Sequence, residues 1–76
     1  MEKIGELKSN TNIFIGELFW NKENCYVYER FKDQGKIKQI KRGIFARDIE
    51  ESIKETNKLY NSNKNWGLVF TERKGA

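Results

Sequence analysis

Histidine and proline are absent from the 76 residues, and cysteine occurs once, at Cys25. Without His and with one Cys, the groups that build most zinc sites and most nucleophile–base pairs are missing. A lone Cys also excludes an internal disulfide framework and predicts a reducing, cytoplasmic setting, with Cys25 itself a small buried hydrophobe. No apolar run approaches the roughly 20 residues of a membrane span, and no signal-peptide pattern opens the chain, so no membrane partner is expected. The lack of Pro is consistent with a sheet that needs no kinks. Asp48, Glu50, Glu51 and Glu55 read as a solvated helix face with Lys neighbours rather than as a metal cluster. The expectation is a protein with no catalytic residue, no metal and no cofactor.

What remains is a small chain with many aromatic residues and a local excess of positive charge. Residues 1–76 have room for one domain, which would bury only about 60% of its unfolded surface. Aromatics make up 13% of the chain, enough to predict either a real core or an aromatic contact surface. Trp20 and Trp66 read as core or core-edge. The net charge is +4, and its distribution matters more than its size. Residues 1–31 balance to −1, residues 48–64 to −1 and the tail to +1. Residues 32–47 hold Lys32, Lys36, Lys38, Lys41, Arg42 and Arg47 against Asp33 alone, for +5. Such a cluster can form a patch of positive potential whose commonest counterpart is phosphate, or it can be a solvated Lys-rich turn.

Hydrophobic periodicity predicts strands first and a helix late. Ile4 and Leu7 are isolated apolar residues, and residues 1–8 have no decided state. Ile13–Trp20 is apolar at both parities and predicts a strand partly covered on both sides. Asn21–Asn24 forms a polar loop. Cys25–Phe31 then alternates, with Cys25, Val27 and Phe31 on one face and Tyr26, Tyr28 and Arg30 on the other; Glu29 alone breaks the alternation. Asp33, Gln34 and Gly35 form a tight turn, with Gly35 available for positive φ. Lys36–Phe45 is the next strand, with a bulge expected near Gly43 or Gln39. Asp48 can cap a helix, and Glu51 completes a capping-box pattern. Ile49, Ser52, Ile53, Thr56 and Tyr60 then make one buried stripe. Trp66–Thr71 is a last strand that would add to a sheet edge, and Glu72–Ala76 a frayed tail. The predicted fold is α+β: a small antiparallel sheet of three to four strands with one amphipathic helix packed on one face.

From Cys25 to Leu59 the order of features resembles the three-stranded-sheet-plus-helix domain of AP2-like proteins and of the arm-binding regions of tyrosine integrases. The resemblance rests on the turn Lys32-Asp33-Gln34-Gly35-Lys36, on the basic strand that follows, and on Gly43-Ile44-Phe45 before the helix. It covers about 35 of the 76 residues. It implies that the exposed sheet face contacts DNA in the major groove. The chain departs from the pattern in two places: Ile49 and Ile53 stand where that family has small Ala residues, and a strand follows the helix.

The same residues, without the resemblance, favour a nucleic-acid surface over an active site. Tyr26, Tyr28 and Arg30 would stand beside Lys36, Lys38 or Arg42 on the next strand, with Lys41 in the same basic run. Rings among Lys and Arg suit both phosphate contact and base stacking. The other possibility is that the Tyr-Tyr-Arg face packs under the helix or only faces water. Two function classes follow. One is a non-enzymatic nucleic-acid-binding module, with DNA the favoured ligand, using Tyr26, Tyr28, Arg30, Lys36, Lys38, Lys41 and Arg42. The alternative is a small protein of phage or mobile-element type that binds and inhibits or modulates a host protein.

Overall fold

Five strands and one helix make up the structure, a computed structural model that describes residues 1–74. In chain order they are β1 (Glu2–Ser9), β2 (Phe14–Trp20), β3 (Tyr26–Asp33), β4 (Lys36–Phe45), α1 (Ile49–Ser62) and β5 (Leu68–Glu72). A turn of 3-10 helix at Lys64–Trp66 precedes β5. All pairings are antiparallel, and the strands lie in the order β4-β3-β2-β1-β5. The first four strands are a meander, and β5 returns after the helix to pair with the free side of β1.

The expected sheet of three to four strands is therefore corrected to five. The difference is β1, which sits between β2 and β5. Its apolar residues Ile4 and Leu7 are three apart, a spacing that puts them on opposite faces of a regular strand. A register irregularity between Lys3 and Gly5 turns both inward, and both are buried. Such a bulge leaves no alternation in the sequence. Glu72 is also not frayed: it ends β5, and the Arg73 amide donates to the Ile4 carbonyl at 2.9 Å. Residues 75 and 76 of the expected tail lie outside the described residues.

The hairpin and the helix form for the reasons their sequences suggest. Gln34 and Gly35 both take positive φ, 52° and 79°, as a two-residue hairpin turn requires. The irregularity in the β3–β4 pairing falls between Lys41 and Phe45, at Gly43 rather than Gln39. Asp48 Oδ1 accepts from the Glu51 amide at 2.8 Å and caps α1. Glu51 reaches back to the Arg47 amide at 3.2 Å, one residue before the expected partner.

The helix packs on one face of the sheet, chiefly over β5 and also against β1 and β4. Small residues, Ser52 and Thr56, make its closest seat and are fully buried, whereas Ile49 and Ile53 flank them half-buried. Beneath lie Ile4, Leu7, Leu18, Val27, Ile44 and Phe70. Trp20 is in the core as expected, and its Nε1 donates to the Ala46 carbonyl at 2.9 Å. Trp66 is not in the core: it is 52% exposed, edge-on to Tyr60 at the rim. Cys25 is half-buried in the loop before β3, with φ 67°.

Candidate nucleic-acid interface

Residues opposed in an antiparallel pair share a face, so the register of β3 with β4 decides which side chains meet. Asp33 opposes Lys36 across the two-residue turn. Even-numbered positions of β3 are then set against odd-numbered positions of β4. Tyr28 opposes Lys41, Arg30 opposes Gln39, Lys32 opposes Ile37, and beyond the irregularity Tyr26 opposes Phe45. Val27 and Glu29, the alternate residues, are buried on the helix side. The Tyr26, Tyr28 and Arg30 set therefore lies on the face that α1 leaves uncovered.

Of the expected basic residues, Lys41 joins this set, and Lys36, Lys38 and Arg42 do not. Lys36 and Lys38 oppose Asp33 and Phe31 on the helix side of the sheet. Lys38 Nζ lies 2.7 Å from Asp33 Oδ2. The Arg42 guanidinium donates to Glu29, with Nε at 3.0 Å. The expected pairing of the tyrosines with Lys36, Lys38 or Arg42 is corrected accordingly, because the two-residue turn sets the parity.

The open face has members that the sequence did not single out. Phe19 on β2 opposes Tyr28, and the Arg30 guanidinium carbon stands 4.5 Å from the centroid of its ring. Phe45 is 53% exposed and meets Tyr26 edge-on, with ring centroids 5.6 Å apart. Lys41 Nζ is 4.7 Å from the Tyr26 centroid. The Asn24 amide donates to the Tyr28 hydroxyl at 2.6 Å and holds that ring. Lys32 is exposed beside Ile37. The signal that could have found Phe45 and Lys32 is the turn length itself, since counting outward from Gln34-Gly35 places both on the Tyr26 face.

Charge is uneven across this face. On β1 and β2, Lys3 Nζ lies 2.8 Å from Glu17 and 3.2 Å from Glu6. These bonds, Glu17 first, hold the Lys3 amine above its ordinary value. There one Lys meets two carboxylates, and Glu17 also stands directly opposite Arg30 of β3. The β3–β4 half presents Arg30, Lys32 and Lys41, while its acids Glu29 and Asp33 point to the other side.

The helix side holds a different feature, a groove of about 430 Å³. Leu7, Ile15, Ile44, Leu59, Trp66 and Leu68 line it, with the Glu29–Arg42 pair and Tyr60 in its wall. Glu29, the residue that broke the alternation, is 3% exposed. Gly16 makes room for it, since a Cβ there would stand 2.9 Å from Glu29 Oε2. Burial pushes the Tyr60 phenol above its ordinary value, Arg42 opposing and Glu29 adding to the shift. Among the described residues no three His, Cys, Asp or Glu side chains are grouped to hold a metal ion, and no helix is long and apolar enough to cross a membrane. Comparison with protein-family models, with curated proteins and with solved structures finds no match.

Proposed function

We propose that the chain is a small, cytoplasmic, non-enzymatic nucleic-acid-binding module that contacts its ligand, DNA in the first instance, with the open face of β3 and β4. One observation carries this: Tyr26, Tyr28, Phe19 and Phe45 share a face with Arg30, Lys32 and Lys41, the acids of β3 and β4 face the other way, and Glu17 of β2 opposes Arg30 alone. Phosphate contacts supply affinity from the cations, and the rings offer surface for bases. The resemblance to AP2-like and integrase arm-binding domains points to the same face. The reducing setting inferred from the single free Cys25 supports the cytoplasmic part.

The protein-partner alternative draws on the unpaired edge of β4, where Ile37 and Ile40 are exposed, because such an edge can accept a strand from another protein. Two double variants separate the readings. Lys32→Glu with Lys41→Glu reverses charge on the open face. Lys36→Glu with Lys38→Glu changes the net charge equally on the other side of the same hairpin. For two or three phosphate contacts, log K of the wild type should fall by about two units per decade of salt. The first variant should abolish binding and the second should leave it within about threefold. Equal losses, or no binding by the wild type at low salt, would favour the protein partner.

A further inference from the structure

Resting on that reading of the open face, we infer that its ligand is an unpaired single strand rather than a duplex. Splayed bases would lie on Phe45, on Tyr28 and on the outer side of the Arg30 guanidinium, while Lys32 and Lys41 meet the phosphates. Three aspects of the geometry lead there. The first is spacing. Residues two apart on one face of a strand are about 6.8 Å apart, and neighbouring strands about 4.8 Å. Bases within a duplex are stacked about 3.4 Å apart, with no gap for a ring to enter. Only a strand whose bases are already separated can lay successive bases on surfaces spaced like these.

The second aspect is width. The face belongs to β3 and β4, but the three strands coplanar with them widen the sheet to about 19 Å, whereas the major groove is about 12 Å wide. Among the described residues no helix or long loop projects from the open face, since α1 lies on the opposite side. A duplex would touch this face through phosphates alone and leave the rings in water. The third aspect is the state of the π surfaces. The Phe45 ring is more than half exposed, and Tyr28 is steadied by Asn24. Arg30 is anchored twice, over Phe19 and by donating to Gln39 Oε1 at 3.0 Å, which holds its guanidinium as a platform. Side chains restrained in this way lose little freedom when a base stacks on them. Arg guanidinium planes and aromatic rings are the surfaces on which unpaired bases stack. Charge agrees, because the cations beside these surfaces are few and interleaved with rings.

Fluorescence anisotropy of the full chain with a labelled 12-nucleotide strand, as DNA and as RNA, is compared with the same sequence in a duplex. Either single strand should bind at least tenfold more tightly than the duplex. Phe45→Leu keeps an apolar side chain but removes the ring, and should weaken single-strand binding about fivefold or more while leaving the weak duplex binding unchanged. Tyr28→Phe keeps the ring but releases it from Asn24, and should weaken single-strand binding less than Phe45→Leu does. A preference for both single strands below tenfold, or a tighter duplex, overturns the inference and leaves the nucleic-acid reading standing. Binding of none of the three probes overturns both. A Phe45→Leu loss shared equally by single strand and duplex also rules out stacking. The wild-type comparison depends on no variant folding.

Discussion

Glu29 places a carboxylate on the inner face of the sheet. A carboxylate 3% exposed in an apolar wall is tolerated because Arg42 bonds it, and Arg42 remains partly in contact with water. Removing the guanidinium leaves a buried charge without its partner. Arg42→Met should therefore lower stability by about 1–3 kcal/mol, and Glu29→Met added to it should return most of the loss, as denaturant midpoints will show. The outcome bears on function too, because it separates Arg42, a structural cation, from Lys41 next to it, which faces outward. Tyr60 adds a pH dependence. Its phenol is raised above the ordinary 10.0 chiefly by burial, so the folded chain keeps the proton after the unfolded chain has released it. This contribution to stability is complete below about pH 10 and is lost as pH rises through the elevated value. Tyr60→Phe should lose less stability than the wild type between about pH 9 and about pH 11, measured by denaturation at each.

At the scale of elements, the two edges of the sheet are treated differently. On β5, Asn61 from the end of α1 docks its side-chain amide onto the backbone of Phe70. The Phe70 amide donates to Oδ1 at 2.9 Å, and Nδ2 donates to the Phe70 carbonyl at 3.1 Å. Asn61 thus stands in for a neighbouring strand, satisfying a backbone pair on the edge and fixing the helix over β5. Asn61→Ala should lower stability by about 1–2 kcal/mol, with faster hydrogen exchange at Phe70 than at the amides of β2. Among the described residues the β4 edge has no such cover. It relies on Lys36, Lys38, Lys41 and Arg42, whose charge opposes pairing with a second copy of itself.

Across the whole molecule, β1 joins the meander to the strand that follows the helix. It pairs with β2 on one side and β5 on the other, and its Ile4 and Leu7 lie in the core. A chain lacking residues 1–9 would expose Leu18 and Phe70 and leave β5 with no strand to pair with. It should show no cooperative thermal transition under conditions where the full chain does, by far-ultraviolet circular dichroism. The two faces of the sheet divide the work. One holds the core and the helix, and the other is free to present rings and cations.

Much of this was legible locally. The capped helix, the Gln34-Gly35 turn and the three strands from β2 to β4 all follow from residues close together in sequence. Caps, turns and short-range periodicity act over a few positions, so the sequence by itself determined them. The inclusion of β1 and the burial of Glu29 were decided by tertiary structure. The one-residue irregularity in β1 reverses the side of the residues beyond it, and local sequence does not announce it. Ile4 and Leu7 reach one core only because a bulge intervenes, and Glu29 is acceptable inside only because Arg42 arrives from another strand. Those conditions depend on partners distant in sequence, and they exist only once the sheet has assembled.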